Sequence, residues 1–475
     1  MKWVGRILAL LVFAGFLLVV AAFTALLWLN IPEVTAGMAA KAVCSAHFVS
    51  GRTESAEELM TKDVSPASPA FLLVSSSIDD SEKSVTAKFL GVFSRRASLL
   101  DQRGCVLDAQ PQPDAVAFTA APLRPAPWPE GDAAVPVAQW GTGVDSAGLQ
   151  QAVQQAFVGA GDPDAANTRA VAVVQGGRLL VAQESTDIPQ NVALHGWSAS
   201  KTVAAMLFYK RAQEVGLAIT TPVVDAFRPG REPSWVADWR QDERRAITIA
   251  DLLFMRDGLD NNEGYGPGGS VLQMLYAEPD MASWAASHPV AHPAGTHWQY
   301  LSATAVLLSE VTRGQFDTDE EYWAYSKKAL FDPIGMTSAT LETDTSGTWV
   351  GSSYQWASVR DWARLGQVML KDGDWNGTQV LPKGWLALAS TPAMPSGEGH
   401  GYGAQTWLPG DPIGGECKAY PGVPADTVAM DGHWGQRVVM VPSRDAVIVR
   451  LGWTFTSSQF DGCRLVSDIL AALPK

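Results

Sequence analysis

The order of strand and helix patterns over residues 145–475 constrains the fold of this chain more than any other feature. Two apolar runs over 169–182, separated by Gly176-Gly177, predict a β-hairpin. A second hairpin is predicted over 437–450, and helical patterns dominate 198–385. Strands that open and close a region around helices fold most simply as one antiparallel sheet with helices on its faces. The sequence therefore predicts a mixed α/β (α+β) domain.

Residues 32–106 are expected to form a separate, small N-terminal region that contains β-structure. Strands are predicted over 71–74 and 85–93, with turn-forming residues at 79–82 between them. Seven prolines over 107–144 then predict an extended linker, or a strap along the surface.

The N-terminus is distinguished by an apolar run, Ile7–Leu29, that follows Lys2 and Arg6. At about 1.5 Å per residue, a helix of this length spans the hydrocarbon core of a bilayer. We therefore expect residues 1–31 to be an uncleaved single-pass anchor in a bacterial inner membrane, with the rest of the chain in the periplasm. A cleaved signal peptide is the alternative, although its apolar region is usually shorter. Both interpretations make the chain an exported protein.

The four cysteines fit an exported protein, because they contain no Cys-x-x-Cys pair typical of zinc or dithiol sites. They indicate two disulfides, for which three pairings exist. Proximity along the chain favours Cys44 with Cys105 and Cys417 with Cys463.

Charge and histidine placement argue against two classes of partner. The net charge is −14 and no Lys/Arg-rich run is present, so nucleic acid is not an expected partner. Three histidines cluster at 288, 292 and 297, but Pro289 and Pro293 interrupt any helix that would align them. We expect neither a metal nor another cofactor.

The strongest candidate for chemistry is Ser198-x-x-Lys201 at the start of an apolar-periodic stretch. Residues three apart on a helix lie on the same face. A serine hydroxyl needs a base, and a lysine whose charge is destabilised by burial can serve as one. Alone, the motif also fits an exposed lysine near an N-cap serine, so neighbouring motifs must decide.

A second candidate is Tyr300-x-Ser302, which follows a Pro-Gly turn and precedes an apolar helix. The Tyr300 phenol can relay a proton if cationic neighbours lower its pKa. The alternative is a tyrosine packed in the core at a helix start.

A third candidate is His433-Trp434-Gly435-Gln436, at the entry to a predicted strand. Glycine at position 435 permits close approach of a ligand to the backbone. The N–H of Gln436 is then a candidate for an oxyanion hole, together with the N–H of Ser198. The alternative is a turn with His433 exposed.

The order Ser-x-x-Lys, Tyr-x-Ser, His-x-Gly resembles the serine β-lactamase and penicillin-recognising superfamily. Within it the chain is most similar to the class C-related serine hydrolases typified by 6-aminohexanoate-dimer hydrolase. The resemblance covers roughly residues 145–475 and extends to the stretches 245–259, 347–354, 361–366 and 435–445. It implies a β-lactamase-like sheet flanked by helices, plus a helical subdomain.

The resemblance also implies roles for the candidate residues. Ser198 becomes the acylated nucleophile, Lys201 its base and Tyr300 the proton shuttle. His433 stands where penicillin-binding enzymes usually carry the lysine of Lys-Thr-Gly, and Ser302 replaces the asparagine of Tyr-x-Asn. Both departures argue against β-lactam hydrolysis.

The expected function is an exported serine hydrolase that cleaves a small amide or ester through an acyl-enzyme. Tyr265, in a glycine-containing loop, is a candidate for lining its pocket, or else a loop aromatic without a role. The alternatives are a non-catalytic envelope protein of the same fold, and a true β-lactamase or D-amino peptidase.

Overall fold

A computed structural model describes residues 2–64, 68–117, 123–158, 166–394, 401–408, 421–455 and 460–475. The helices in it are α1 (Lys2–Trp28), α2 (Ile31–Cys44), α3 (Ala56–Leu59), α4 (Ser146–Ala156), α5 (Ser200–Val215), α6 (Trp235–Trp239), α7 (Ile249–Leu253), α8 (Ser270–Ala277), α9 (Met281–Ala286), α10 (Ser302–Arg313), α11 (Asp319–Ser326), α12 (Val359–Leu370), α13 (Trp385–Ala389) and α14 (Gly462–Ala472). The strands are β1 (Val74–Asp79), β2 (Ser84–Phe89), β3 (Phe93–Leu100), β4 (Gly104–Leu107), β5 (Thr168–Gln175), β6 (Arg178–Glu184), β7 (Leu194–His195), β8 (Thr340–Leu341), β9 (Gln355–Ala357), β10 (Asp374–Trp375), β11 (Thr378–Gln379), β12 (Val428–Gly432), β13 (Gln436–Val441) and β14 (Ala446–Gly452).

The central sheet joins the two ends of the 145–475 region. Its strand order is β12-β13-β14-β5-β6, and every neighbouring pair is antiparallel. Gly176 and Gly177 turn between β5 and β6 with φ of 58° and 70°, values at which glycine is favoured. The predicted antiparallel sheet with flanking helices is confirmed.

Helices cover both faces of this sheet, as the alternation of side chains requires. Val439 and Ile448 belong to one buried cluster, which they share with residues of α4 and α14. Val438 and Val447 point to the other side, where α12 packs and the larger core begins. In that core α10 packs against α5, α7 and α9. The start of α5 and the start of α10 are thereby brought together.

The N-terminal region forms a second antiparallel sheet of order β1-β2-β3-β4, against which α2 packs. Two strand predictions here are wrong in detail. The segment 71–74 is mostly a tight helical turn that begins at Pro69, and β1 starts only at Val74. The segment 85–93 is two strands rather than one, because Leu90 and Gly91 adopt φ of 50° and 71° and reverse the chain.

A buried ion pair ties this region to the rest of the chain. The Lys41 ammonium on α2 contacts the Glu342 carboxylate, and both side chains are buried. The same carboxylate accepts hydrogen bonds from Ser45 Oγ at 2.8 Å, Cys105 N at 2.8 Å and Trp356 Nε1 at 2.9 Å. One continuous core therefore contains residues of the small sheet and of the 145–475 region.

The described part of the proline-rich segment packs against the 145–475 region. Trp128 and Trp140 are buried, and Asp132 bonds Arg124 and, at 2.8 Å, Arg364 of α12. These contacts describe a strap along the surface.

A disulfide joins Cys44, at the end of α2, to Cys105 in β4. Cys463 is disulfide-bonded as well, while Cys417, its predicted partner, lies outside the described residues. Among the residues that the structure describes, no helix is both long enough and apolar enough to cross a membrane. The predicted membrane-spanning helix over 7–29 gains no support from this finding.

Candidate active site

Ser198 lies in a tight turn, Trp197–Ala199, that leads directly into α5. Trp197 has a φ of 48°, which is rare for a residue with a side chain. Two hydrogen bonds of the Ser200 hydroxyl stabilise this turn. Ser200 Oγ donates to Trp197 O at 2.5 Å and accepts from Gln355 N at 2.9 Å. The surrounding structure thus fixes the serine at the helix N-terminus, with 9% of its surface exposed.

Lys201 is buried one turn below Ser198, with 1% of its surface exposed. Its ammonium donates to Ser198 Oγ at 2.9 Å, to Ser302 Oγ at 3.0 Å and to Ser352 O at 3.1 Å. Burial lowers the pKa of Lys201 to about 8, against the opposing attraction of the Glu263 carboxylate. A substantial fraction of this amine is therefore neutral near physiological pH, as a base for Ser198 requires.

Tyr300 lies above the same amine, with Lys201 Nζ 4.6 Å from the centre of its ring. The ring packs against Tyr402 and Trp407, at centroid distances of 5.7 and 5.1 Å. Desolvation raises the pKa of Tyr300 well above its usual value, and nearby Tyr402 and Glu263 raise it further. The sequence suggested that nearby cations could lower the pKa of Tyr300. The structure shows the opposite direction, because desolvation of the buried phenol has the largest effect. With its pKa raised, Tyr300 is a neutral phenol that carries a proton to donate.

Glu263 is the residue that sequence reasoning missed. Its carboxylate accepts from Ser302 Oγ and Ser302 N, both at 2.6 Å, and from Tyr265 OH at 3.2 Å. It therefore occupies the N-terminus of α10, where a negative charge is favourable. It also joins Ser302, a ligand of the Lys201 amine, to Tyr265. The only signal in the sequence was an acidic residue two positions from Tyr265 in a loop.

His433 and Tyr265 form a stacked pair beside the serine. Their rings are 4.5 Å apart and nearly parallel, at 8°. Trp197 meets the His433 ring at 5.4 Å, edge to face. Desolvation lowers the pKa of His433 to about 4, so the ring is neutral at physiological pH. The His433 ring thus adds no positive charge beside the serine.

Gly435 and Gln436 lie where the chain turns from β12 into β13. Gly435 has a φ of 81°, and a side chain there would meet the Arg450 guanidinium. The Gln436 side-chain amide makes two hydrogen bonds to the Gly452 backbone. Its oxygen accepts from the Gly452 N–H at 2.9 Å, and its nitrogen donates to the Gly452 carbonyl. It is therefore structural. A Cβ on Gly432 would clash with the carbonyl of Gly196, so this turn lies close to Ser198. An oxyanion hole from the N–H groups of Ser198 and Gln436 remains a prediction.

The histidines at 292 and 297 lie together, with ring centres 4.1 Å apart. Within the described ranges no group of three or more His, Cys, Asp or Glu side chains is placed to hold a metal ion.

With this geometry established, comparison with known proteins defines the family. A model of the beta-lactamase family matches residues 152–466. The chain belongs to the beta-lactamase family. The predicted relationship to the serine β-lactamase and penicillin-recognising superfamily is confirmed.

Solved structures similar to this beta-lactamase-family chain share its fold at low sequence identity. A protein described as a 6-aminohexanoate-dimer hydrolase from Bacillus anthracis is 17% identical with a TM-score of 0.51, covering 67% of this chain and 80% of its own. A protein described as a beta-lactamase from Bacteroides dorei is 15% identical with a TM-score of 0.53, covering 70% and 99%. A family VIII carboxylesterase is 14% identical with a TM-score of 0.53, covering 69% and 96%. No curated protein matches the chain by sequence.

Proposed function

We propose that this protein is an exported serine hydrolase that cleaves a small ester or amide through an acyl-enzyme on Ser198. The observation that carries the proposal is the buried Lys201 amine, 2.9 Å from Ser198 Oγ and with its pKa lowered to about 8. A nucleophile within hydrogen-bond reach of a base tuned toward neutrality is the arrangement that acyl transfer needs.

In the first half-reaction, the neutral Lys201 amine accepts the Ser198 proton while Oγ bonds the acyl carbon. The Tyr300 phenol donates its proton to the departing alkoxide or amine, and Lys201 then returns a proton to Tyr300. In the second half-reaction, water attacks the acyl carbon and passes a proton through Tyr300 to the neutral Lys201 amine. The bond between the acyl carbon and Oγ then breaks, Lys201 returns the proton to Oγ, and the acid leaves with Ser198 restored. The N–H groups of Ser198 and Gln436 are proposed to bind the oxyanion in both steps.

Esters are the favoured substrates, and short linear amides come next. An ester needs less protonation of its leaving group than an amide, so it depends less on Tyr300. The structural likeness to a carboxylesterase and to a 6-aminohexanoate-dimer hydrolase fits this order. β-Lactam turnover is expected to be weak, because neutral His433 offers no cation to a substrate carboxylate. A lost charge-assisted contact of about 1.5–3 kcal/mol lowers affinity roughly ten- to a hundredfold.

Export is proposed on two grounds. The Cys44–Cys105 disulfide fits an oxidising compartment, and the apolar run 7–29 follows two basic residues. We propose that this run anchors the chain in the bacterial inner membrane with the catalytic region in the periplasm. Thiol labelling of freshly exported, denatured and unreduced protein tests the compartment, and four labelled cysteines would contradict it.

The test of the nucleophile is intact-mass measurement after treatment with a serine-reactive phosphonate. The wild type is expected to gain one adduct, and Ser198→Ala none. Turnover of p-nitrophenyl acetate should fall by several powers of ten in Ser198→Ala. Ser287→Ala, an exposed serine at the end of α9, serves as the matched control and should behave as wild type.

A substrate comparison then separates the alternatives. The measurement is kcat/KM for nitrocefin, p-nitrophenyl acetate and a linear 6-aminohexanoate dimer on one preparation. The acetate is expected to lead. Nitrocefin in first place by more than about tenfold would make the protein a β-lactamase. No turnover together with no adduct would favour a non-catalytic envelope protein.

A further inference from the structure

A cavity of about 510 Å³ lies between the N-terminal helices and three residues beside Ser198, namely Trp197, Tyr265 and His433. Its walls include Leu29 after α1, Val34 and Met38 of α2, and Leu272 of α8. Its inner end is closed by Tyr265 and His433. The volume lies within the range of small-molecule binding sites. The N-terminal region thus supplies part of the wall of a cavity that lies beside the candidate active site.

The chemistry of the wall selects an apolar occupant. Among the described residues that line the cavity, none is Asp, Glu, Lys or Arg. The polar members include Thr35, Ser68 and Gln273, which are uncharged, and neutral His433 adds no charge. Burying a charged group in such a place is costly, whereas an alkyl chain gains free energy with each methylene that leaves water.

The cavity lies on the side of Ser198 that faces Trp197, Tyr265 and His433 and not on the side of Tyr300. Trp197, which precedes Ser198, lines it, and so do Tyr265 and His433, whose stacked rings lie next to Trp197. Tyr300, the proposed proton donor to the leaving group, does not line it and packs instead against Tyr402 and Trp407. An acyl group on Ser198 that is directed away from Tyr300, the proposed donor to the leaving group, would extend toward the cavity.

We propose that this cavity binds the unbranched alkyl chain on the acyl side of an ester, so that the enzyme prefers medium- or long-chain acyl esters. The proposal rests on the acyl-enzyme proposed above. Each methylene that the cavity buries raises kcat/KM by up to about fourfold, the equivalent of about 0.8 kcal/mol. An octanoyl ester should therefore exceed an acetyl ester by at least about tenfold, even with incomplete burial.

The experiment measures kcat/KM for p-nitrophenyl acetate, butyrate, octanoate and laurate with the full-length protein. Leu272→Trp fills the cavity from α8 and should abolish the octanoate preference, while acetate stays within about twofold of wild type. Val34→Trp does the same from α2 and is the second variant if Leu272→Trp does not fold. Leu386→Trp, an equally half-buried leucine on α13 outside the cavity, should change neither substrate.

Several outcomes overturn the proposal. A wild-type series that is flat or falls with chain length does so, as does a Leu272→Trp enzyme that loses acetate and octanoate alike. If acetate is hydrolysed in a Ser198-dependent manner without chain-length preference, the acyl-chain assignment alone is wrong. If no ester is turned over and the phosphonate leaves Ser198 unlabelled, the hydrolase proposal fails and the cavity assignment fails with it.

Discussion

At the scale of single residues, the decisive feature is the environment of the buried Lys201 amine. Three oxygen atoms accept its hydrogen bonds, and among the described residues Glu263 is the carboxylate that raises its pKa. A buried ammonium is costly, and the protein compensates with three hydrogen bonds rather than with a direct ion pair. The Glu263 carboxylate reaches the amine only through the hydroxyl of Ser302. This arrangement keeps the amine in place and still leaves its pKa near 8.

The first prediction concerns pH. Because the proposed base is the neutral amine of Lys201, activity should rise with pH and level off above the Lys201 pKa of about 8. The measurement is kcat/KM for p-nitrophenyl acetate from mildly acidic to alkaline pH, which reports the pKa of the free enzyme. Lys201→Ala should be nearly inactive across the whole range. A profile that falls through this interval would exclude Lys201 as the base.

The second prediction concerns Glu263, a positioning residue that acts through Ser302. Its charge raises the pKa of Lys201, so Glu263→Gln should shift the ascending limb of the pH profile to lower pH. Glu263→Asp keeps the charge and should leave the limb closer to wild type. Both variants are compared by the same pH profile. A loss of rate in Glu263→Gln with an unmoved limb would mean that the carboxylate only supports the fold of its loop.

At this scale, the sequence is informative where chemistry follows local spacing. Ser198 and Lys201 are three apart on one helix, and that spacing alone predicts their contact. Glu263 could not be predicted, because a loop carboxylate has no periodicity and its partners come from α10. The pKa of Tyr300 was equally out of reach, since burial among Tyr402 and Trp407 is a tertiary property.

At the scale of elements, two strained turns face each other across the site. Trp197 before α5 and Trp434 between β12 and β13 have φ of 48° and 61°. Their rings meet at 5.0 Å, edge to face. Such conformations persist when packing determines them from several sides, and they occur often at functional sites. The sequence predicted both segments from their motifs, but not that the two tryptophans pack together.

The third prediction concerns the ion pair between α2 and the catalytic region. Lys41→Met leaves the buried Glu342 carboxylate without its cation and should lower the free energy of unfolding by about 3–5 kcal/mol. Adding Glu342→Gln should recover part of this loss, because the amide is uncharged. Lys371→Met removes a half-exposed partner of Asp445 and should cost less than about 1 kcal/mol.

Urea unfolding monitored by tryptophan fluorescence measures all of these variants. Equal losses in Lys41→Met and Lys371→Met would show that the buried pair contributes no more than a surface pair. A double variant less stable than Lys41→Met would show that the remaining hydrogen bonds require the carboxylate.

At the scale of the whole molecule, the N-terminal region is integrated with the catalytic region. Strand patterns predicted that residues 32–106 contain a sheet, yet no local pattern could show what that sheet packs against. The structure joins the two through the shared core, through Lys41 and Glu342, and through Asp63, which binds both Arg52 and Arg169. Partners this far apart in sequence meet only in the folded chain, so they carry no signal in the sequence itself.

The last prediction follows from this integration. A chain that begins at residue 31 keeps α2, the small sheet and the buried pairs, and should fold and hydrolyse p-nitrophenyl acetate. A chain that begins at residue 145 lacks Lys41, so Glu342 loses its cation along with the donors at Ser45 and Cys105. It also exposes apolar surface that α2 covers, so it should unfold at a lower urea concentration than the longer chain and lose acetate turnover. The comparison uses circular dichroism during urea unfolding together with acetate turnover. Cooperative unfolding and full activity of the shorter chain would show that the N-terminal region is dispensable, because the catalytic fold would then be complete without α2.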